Sequence, residues 1–222
     1  MPSRGGHGGP PTIDMTFIKI CGITNLDDAL AAVAAGADAL GFNFYKPSPR
    51  YITPQRTREI VEQFQETLLT VGVFVNEDLD TVRAIAGEAG LRALQLHGDE
   101  SPEYCHELAA DYFVIKVFAV SDTFDLHAAQ AYEVEAVMLD TKHKNLRGGT
   151  GRVFDWSVAQ QAASTIPKLF LAGGLSSENV ENAIKIVHPF AVDACSALED
   201  TPGKKNHARM RVFINTVRAV EP

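Results

Sequence analysis

Eight times between residues 16 and 220, a short apolar run is followed by an amphipathic stretch. This alternation confines the chain to a parallel α/β architecture. The runs are TFIKI (16–20), ADALGFNF (37–44), LLTVGVFVN (68–76), LRALQLH (91–97), YFVIKVF (112–118), EAVMLD (135–140), PKLFLA (167–172) and FAVDAC (190–195). The third is too short for a long helix and rich in β-branched residues, the pattern of a strand covered on both faces. Helix signals fall between the runs. Thr24 can cap a first helix whose apolar face is Leu26, Leu30 and Val33, with Gly36 as its stop. Thr53 followed by Pro54 supplies a cap and a proline at the first helical position. After Ser176, the residues Val180, Ala183, Ile184 and Val187 share one face, and Lys204 to Val220 reads as the closing helix. Eight such units can close into a single (β/α)8 TIM barrel, with an open doubly wound sheet as the alternative. A chain of 222 residues suits one such domain. We expect residues 15–222 to form the barrel. Residues 1–14 are rich in Gly and Pro, lack the apolar core of a signal peptide, and are expected to be disordered.

The net charge of −8 argues against a nucleic-acid partner, which would need clustered Lys and Arg. No apolar run approaches the roughly 20 residues of a membrane helix. Cys21, Cys105 and Cys195 form an odd set without metal-type spacing, so reduced thiols and a cytoplasmic setting are expected. His7, between glycines, reads as part of a solvated tail. No pair of His or carboxylate residues has convincing metal spacing, and neither metal nor cofactor is expected.

In such barrels the active site sits at the C-terminal ends of the strands. Cys21, in KICGIT, ends the first run beside Gly22, where a following helix start would favour a thiolate. A buried structural thiol is the competing reading. Asp140 ends the sixth run and can transfer a proton, with a pKa raised by burial, or cap the next turn. LAGGL (171–175) places Gly173 and Gly174 before a helix, and Ser196 opens a second helix start after the eighth run. Backbone N–H groups there favour a phosphate. GGTG (148–151) lacks the rest of a nucleotide cradle and reads as a loop over the site. Arg50, in PSPRY, can grip a carboxylate or simply aid solubility, and His97 beside Gly98 reads as structural.

In order along residues 19–203, KICGIT, GADALGFNFY, SPRYI, VGVFVN, LQLHG, MLDTK with GGTG and FDW, LAGGL with ENV, and VDACSALE resemble the phosphoribosylanthranilate isomerase family. The resemblance implies an Amadori rearrangement in tryptophan biosynthesis with a small phosphorylated substrate. It implies Asp140 as general acid toward the ribose ring oxygen and Cys21 as general base toward the C2′ proton. Arg50 would hold the anthranilate carboxylate, and backbone N–H groups of Gly173, Gly174, Ser196 and Ala197 the phosphate. Asp193 would orient the ribose or support the phosphate loop, with capping of the next helix as its plainer role. Where the family has Ser-Gly, this chain has Ser196-Ala197, and KKNH (204–207) lacks an expected aspartate. An alanine does not readily take φ > 0, which raises the question of the loop's shape. The alternatives are a related histidine-pathway phosphosugar isomerase, disfavoured because Cys21 stands where those enzymes use Asp, and a non-catalytic barrel binding a phosphorylated ligand. A monomer and a homodimer are both compatible with the sequence.

Overall fold

The computed structural model describes residues 15–64, 68–120, 125–140 and 156–220. The N-terminal segment 1–14, GGTG (148–151) and parts of the MLDTK and FDW motifs lie outside the described residues.

Eight parallel strands form a closed barrel in sequence order. They are β1 (Phe17–Cys21), β2 (Ala39–Asn43), β3 (Leu69–Phe74), β4 (Ala93–Leu96), β5 (Phe113–Ala119), β6 (Ala136–Asp140), β7 (Leu169–Ala172) and β8 (Ala191–Ala194). All eight expected runs supply one strand each. β1 closes the ring by pairing with β8, Ile20 abreast of Ala194. The helices between them are α1 (Leu26–Ala35), α2 (Pro54–Val61), α3 (Leu79–Ala89), α4 (Pro102–Ala109), α5 (Leu126–Gln130), α6 (Ser157–Ala163), α7 (Val180–Val187) and α8 (His207–Ala219).

Because alternate side chains face opposite ways, the core has two layers. Val71, Ala93, Ile115, Met138 and Phe170 fill the lumen, and a larger layer packs between strands and helices. Phe17, Phe113 and Phe190 pack against the lumen cluster at its N-terminal end, with the Phe17 and Phe190 rings 5.7 Å apart and stacked. That end is plugged, so a ligand must approach from the other.

Three local expectations need correction. The cap of α1 is Asn25, whose side chain accepts from the Asp28 N–H; Thr24 instead donates to the Gly203 carbonyl. On α1, Leu26 and Val33 pack against the core as expected, but Leu30 is 47% exposed and the fully buried apolar residues are Ala29 and Ala32: small residues let this helix lie close to the sheet. The closing helix starts at His207 rather than Lys204, because Lys204–Lys205 forms a short strand, β10, against β9 (Glu199–Thr201), and Asn206 then caps α8. Thr53-Pro54 and the Val180–Val187 face of α7 are as expected.

Candidate active site

At the C-terminal end of the barrel lies a cleft of about 230 Å³. Its lining includes all eight residues singled out in the sequence: Cys21, Arg50, Asp140, Gly173, Gly174, Asp193, Ser196 and Ala197. Asn43, Gln95, His97 and Cys195 contribute further wall.

Cys21 is the last residue of β1, paired with Gly41 on β2 and only 9% exposed. Gly22 follows with φ +76°, a left-handed turn that bends the chain away while its N–H bonds the Gly41 carbonyl. The thiol is held well below its ordinary range. The cause differs from the expected helix start, since α1 begins only at Leu26 and a helix dipole fades within its first turn. A hydrogen bond from Cys195 is the largest influence, burial opposes it, and the nearby Lys19 and Lys205 ammonium groups add to it. Cys195, hydrogen-bonded to Cys21 and half-buried beside it, is pushed correspondingly up.

Asp140 ends β6 with its side chain partly exposed, and its Oδ2 lies 3.6 Å from His97 Nε2. The other ring nitrogen of His97 stands 3.3 Å from Gln95 Nε2. That contact orients the ring toward Asp140 and gives His97 a place at the cleft that its sequence position alone did not suggest.

Asp193 does not cap a helix. Its Oδ1 lies 2.7 Å from the ammonium of Lys19, which is wholly buried on β1. Burial pushes the Asp193 carboxyl up to about 6 against the pull of that ammonium. Burial equally works against the charge on Lys19, yet Asp193 and Cys21 outweigh it and raise the lysine.

Arg50 comes to the cleft with a partner. Its Nε and Nη2 form a fork on Glu199, at 2.9 and 2.6 Å, and Lys205 Nζ reaches the same carboxylate at 3.0 Å. Burial pushes Glu199 up, but the two cations outweigh it and leave it below its usual value. Glu199 and Lys205 fall in the VDACSALE and KKNH motifs but carried no assigned role in the sequence, because they lie past the last strand, in a hairpin with no apolar periodicity.

In the same cleft, Gly173 and Gly174 adopt φ of 99° and 82°. Asn179 stitches this loop by accepting from the Ser176 N–H and donating to the Gly174 carbonyl. Ser196 opens only a three-residue 3-10 turn, Ser196–Leu198, not the α-helix expected there, because the chain turns at once into β9. Ala197 sits within that turn and is not among the described non-glycine residues with positive φ, so this position requires no glycine.

Among the described residues, no group of three or more His, Cys, Asp or Glu could hold a metal ion, and no helix is long and apolar enough to cross a membrane.

Residues 18–216 match the family model for N-(5′-phosphoribosyl)anthranilate isomerase. The chain is 48% identical over 206 residues to the N-(5′-phosphoribosyl)anthranilate isomerase of Thermotoga neapolitana, covering 93% of this chain and 100% of that protein. Its fold superposes on the crystal structure of phosphoribosyl anthranilate isomerase from Thermotoga maritima with a TM-score of 0.85, at 45% identity, over 91% of this chain and 98% of that one. It also superposes, with a TM-score of 0.82 at 42% identity over 91% and 98% of the two chains, on such an isomerase in complex with reduced 1-(o-carboxyphenylamino)-1-deoxyribulose 5-phosphate. With a closed barrel, a cleft at the strand ends and these matches along nearly its whole length, the chain belongs to the N-(5′-phosphoribosyl)anthranilate isomerase family.

Proposed function

We propose that the chain works by proton transfer between two strand ends, with Cys21 as general base and Asp140 as general acid. The reaction is that of the family: the chain isomerises N-(5′-phosphoribosyl)anthranilate to 1-(2-carboxyphenylamino)-1-deoxyribulose 5-phosphate, an aldose–ketose step of tryptophan biosynthesis. Asp140 protonates the ribose ring oxygen, which opens the furanose to a Schiff base. Cys21 removes the C2′ proton, and the resulting enolamine tautomerises to the ketone. Each proton transfer of this kind contributes about 10² to 10⁴-fold. The observation that carries this reading is an acidified thiol and a carboxylate on β1 and β6, both lining one cleft.

In the same reading Arg50, kept in place by Glu199, holds the anthranilate carboxylate. The N–H groups of Gly173, Gly174, Ser196 and Ala197 receive the phosphate, and Asp193 acts from beneath the ribose. Neither a metal nor a cofactor takes part. The three free thiols suit a reducing cytoplasm. We take residues 15–222 as one catalytic domain, acting as a monomer or homodimer without nucleic-acid or membrane partners.

The test is the decay of anthranilate fluorescence with freshly made phosphoribosylanthranilate in EDTA. Wild type turns over rapidly and Cys21→Ser does not. Near-normal turnover by a folded Cys21→Ser protein removes the thiol from the mechanism.

A further inference from the structure

Along β1, Phe17, Lys19 and Cys21 alternate with residues facing the helices, so Lys19 lies directly beneath Cys21 on the lumen side. A lysine wholly removed from water is costly, and a buried ion pair is often no more stable than apolar residues of the same volume. Stability alone therefore gives little reason for Lys19 and Asp193. The ammonium has three N–H donors. One goes to Asp193 at 2.7 Å, and the Cys21 sulfur, two residues along the same face of β1, shares the space left open by Gly41. Gly41 on the neighbouring strand shows how closely the two groups are fitted. A Cβ placed there would stand 2.8 Å from the Cys21 sulfur and 3.1 Å from Lys19 Nζ. The missing side chain makes the room both of them occupy.

The charges around the sulfur point the same way. Around it stand Lys19 from β1, Asp193 from β8, Arg50 from the loop after β2 and Lys205 from β10, while Glu199 on β9 binds Arg50 and Lys205. Asp140 on β6 stands at the same cleft, and Cys195 adds a neutral thiol.

We propose that Lys19 is a positioning residue of the isomerisation: its buried ammonium, anchored by Asp193, fixes the Cys21 sulfur as an anion at the floor of the cleft. This deepens the reading of Cys21 as base and rests on it. Lys19 itself does not touch the substrate; it acts through the sulfur.

The experiment is iodoacetamide alkylation of Cys21, followed by peptide mass between pH 5 and 10, on wild type, Lys19→Met and Lys19→Gln, alongside kcat/KM profiles. The Cys21 midpoint of wild type lies below the ordinary thiol value of about 8.5. In either folded variant it rises by at least one pH unit, a tenfold loss of thiolate on the acid side, and the acid limb of kcat/KM moves with it. A folded variant with an unmoved midpoint overturns the proposal, and so does a wild-type midpoint at or above 8.5, which needs no variant at all. Turnover retained by Cys21→Ser defeats the base assignment instead. An inactive Cys21→Ser with an unmoved Lys19→Met midpoint defeats only the role of Lys19.

Discussion

Of the buried lysine–carboxylate pairs among the described residues, two differ most in their surroundings. Lys19 and Asp193 meet at 2.7 Å in the lumen, and Lys116 and Glu100 meet at 2.6 Å on the helix-facing side of β5. Lys116 also donates to the Gly98 carbonyl at 2.7 Å and lies over the rings of Phe118 and Tyr132. Glu100 in turn accepts from the backbone N–H groups of Asn76 and Gly98. The partners of that pair are backbone and aromatic faces, and its effect is to tie the loops after β3 and β4 together. The lumen pair is surrounded by thiols and further charges instead. What separates a brace from a reaction centre here is less the ion pair itself than what its remaining valences meet.

Substitutions can pull this contrast apart. The largest effects belong to the lumen side: Cys21→Ser and Asp140→Asn should each lower kcat by about 10² to 10⁴-fold. Urea midpoints should stay near wild type, measured by fluorescence turnover and equilibrium unfolding on the same preparations. A comparable stability loss would make these residues braces too. Next comes the other pair. Lys116→Met, which strands Glu100, should cost about 3–5 kcal/mol of stability. The folded fraction should keep a wild-type pH profile, and a shifted acid limb would erase the distinction. Gly41→Ala should be intermediate, because the added Cβ presses on the Cys21 sulfur and on the Cys21 Cα, 3.1 Å away. Overpacking of this kind costs about 1–3 kcal/mol. We expect a drop in kcat/KM, corrected for folded protein, of roughly tenfold. The smallest change is on the outer helix layer. Leu30→Gln should alter stability by no more than about 0.5 kcal/mol. A larger loss, or a change in mass by light scattering, would mean that α1 is covered by a second copy.

The same contrast explains what could be read from the sequence. The eight apolar runs gave the strands and their order because a parallel sheet covered on both faces leaves little else for such runs to do. Cys21 and Asp140 stood out by position, at strand ends followed by turns. Lys19 did not, because a lysine in a strand ordinarily reads as its solvent-facing residue. The telling signal was that β1 has no solvent-facing side, so any charge within it must find a partner inside. On α1, Leu26 and Val33 pack against the core as expected, but Leu30 does not, because Ala29 and Ala32 permit the close approach that decides which side is buried. Glu199, which holds Arg50, belongs to a hairpin brought to the mouth only by tertiary folding. The GGTG loop (148–151) lies outside the described residues.

Arg218, in the last turn of α8, donates to the Thr16 carbonyl, the Gly36 carbonyl and Asp38 Oδ2, at 2.8, 2.8 and 2.6 Å. Asp38 Oδ2 also accepts from the Ile18 N–H at 2.7 Å. One side chain thus clasps the seam where the last unit of the barrel meets the first, on the side away from the cleft. The first strand and the last helix of the barrel are neighbours there, so the order in which the units are synthesised is separable from the order in which they stand. A circularly permuted chain, joined by a short linker across this seam and reopened at the exposed turn around Asp111, would present the same mouth to its substrate.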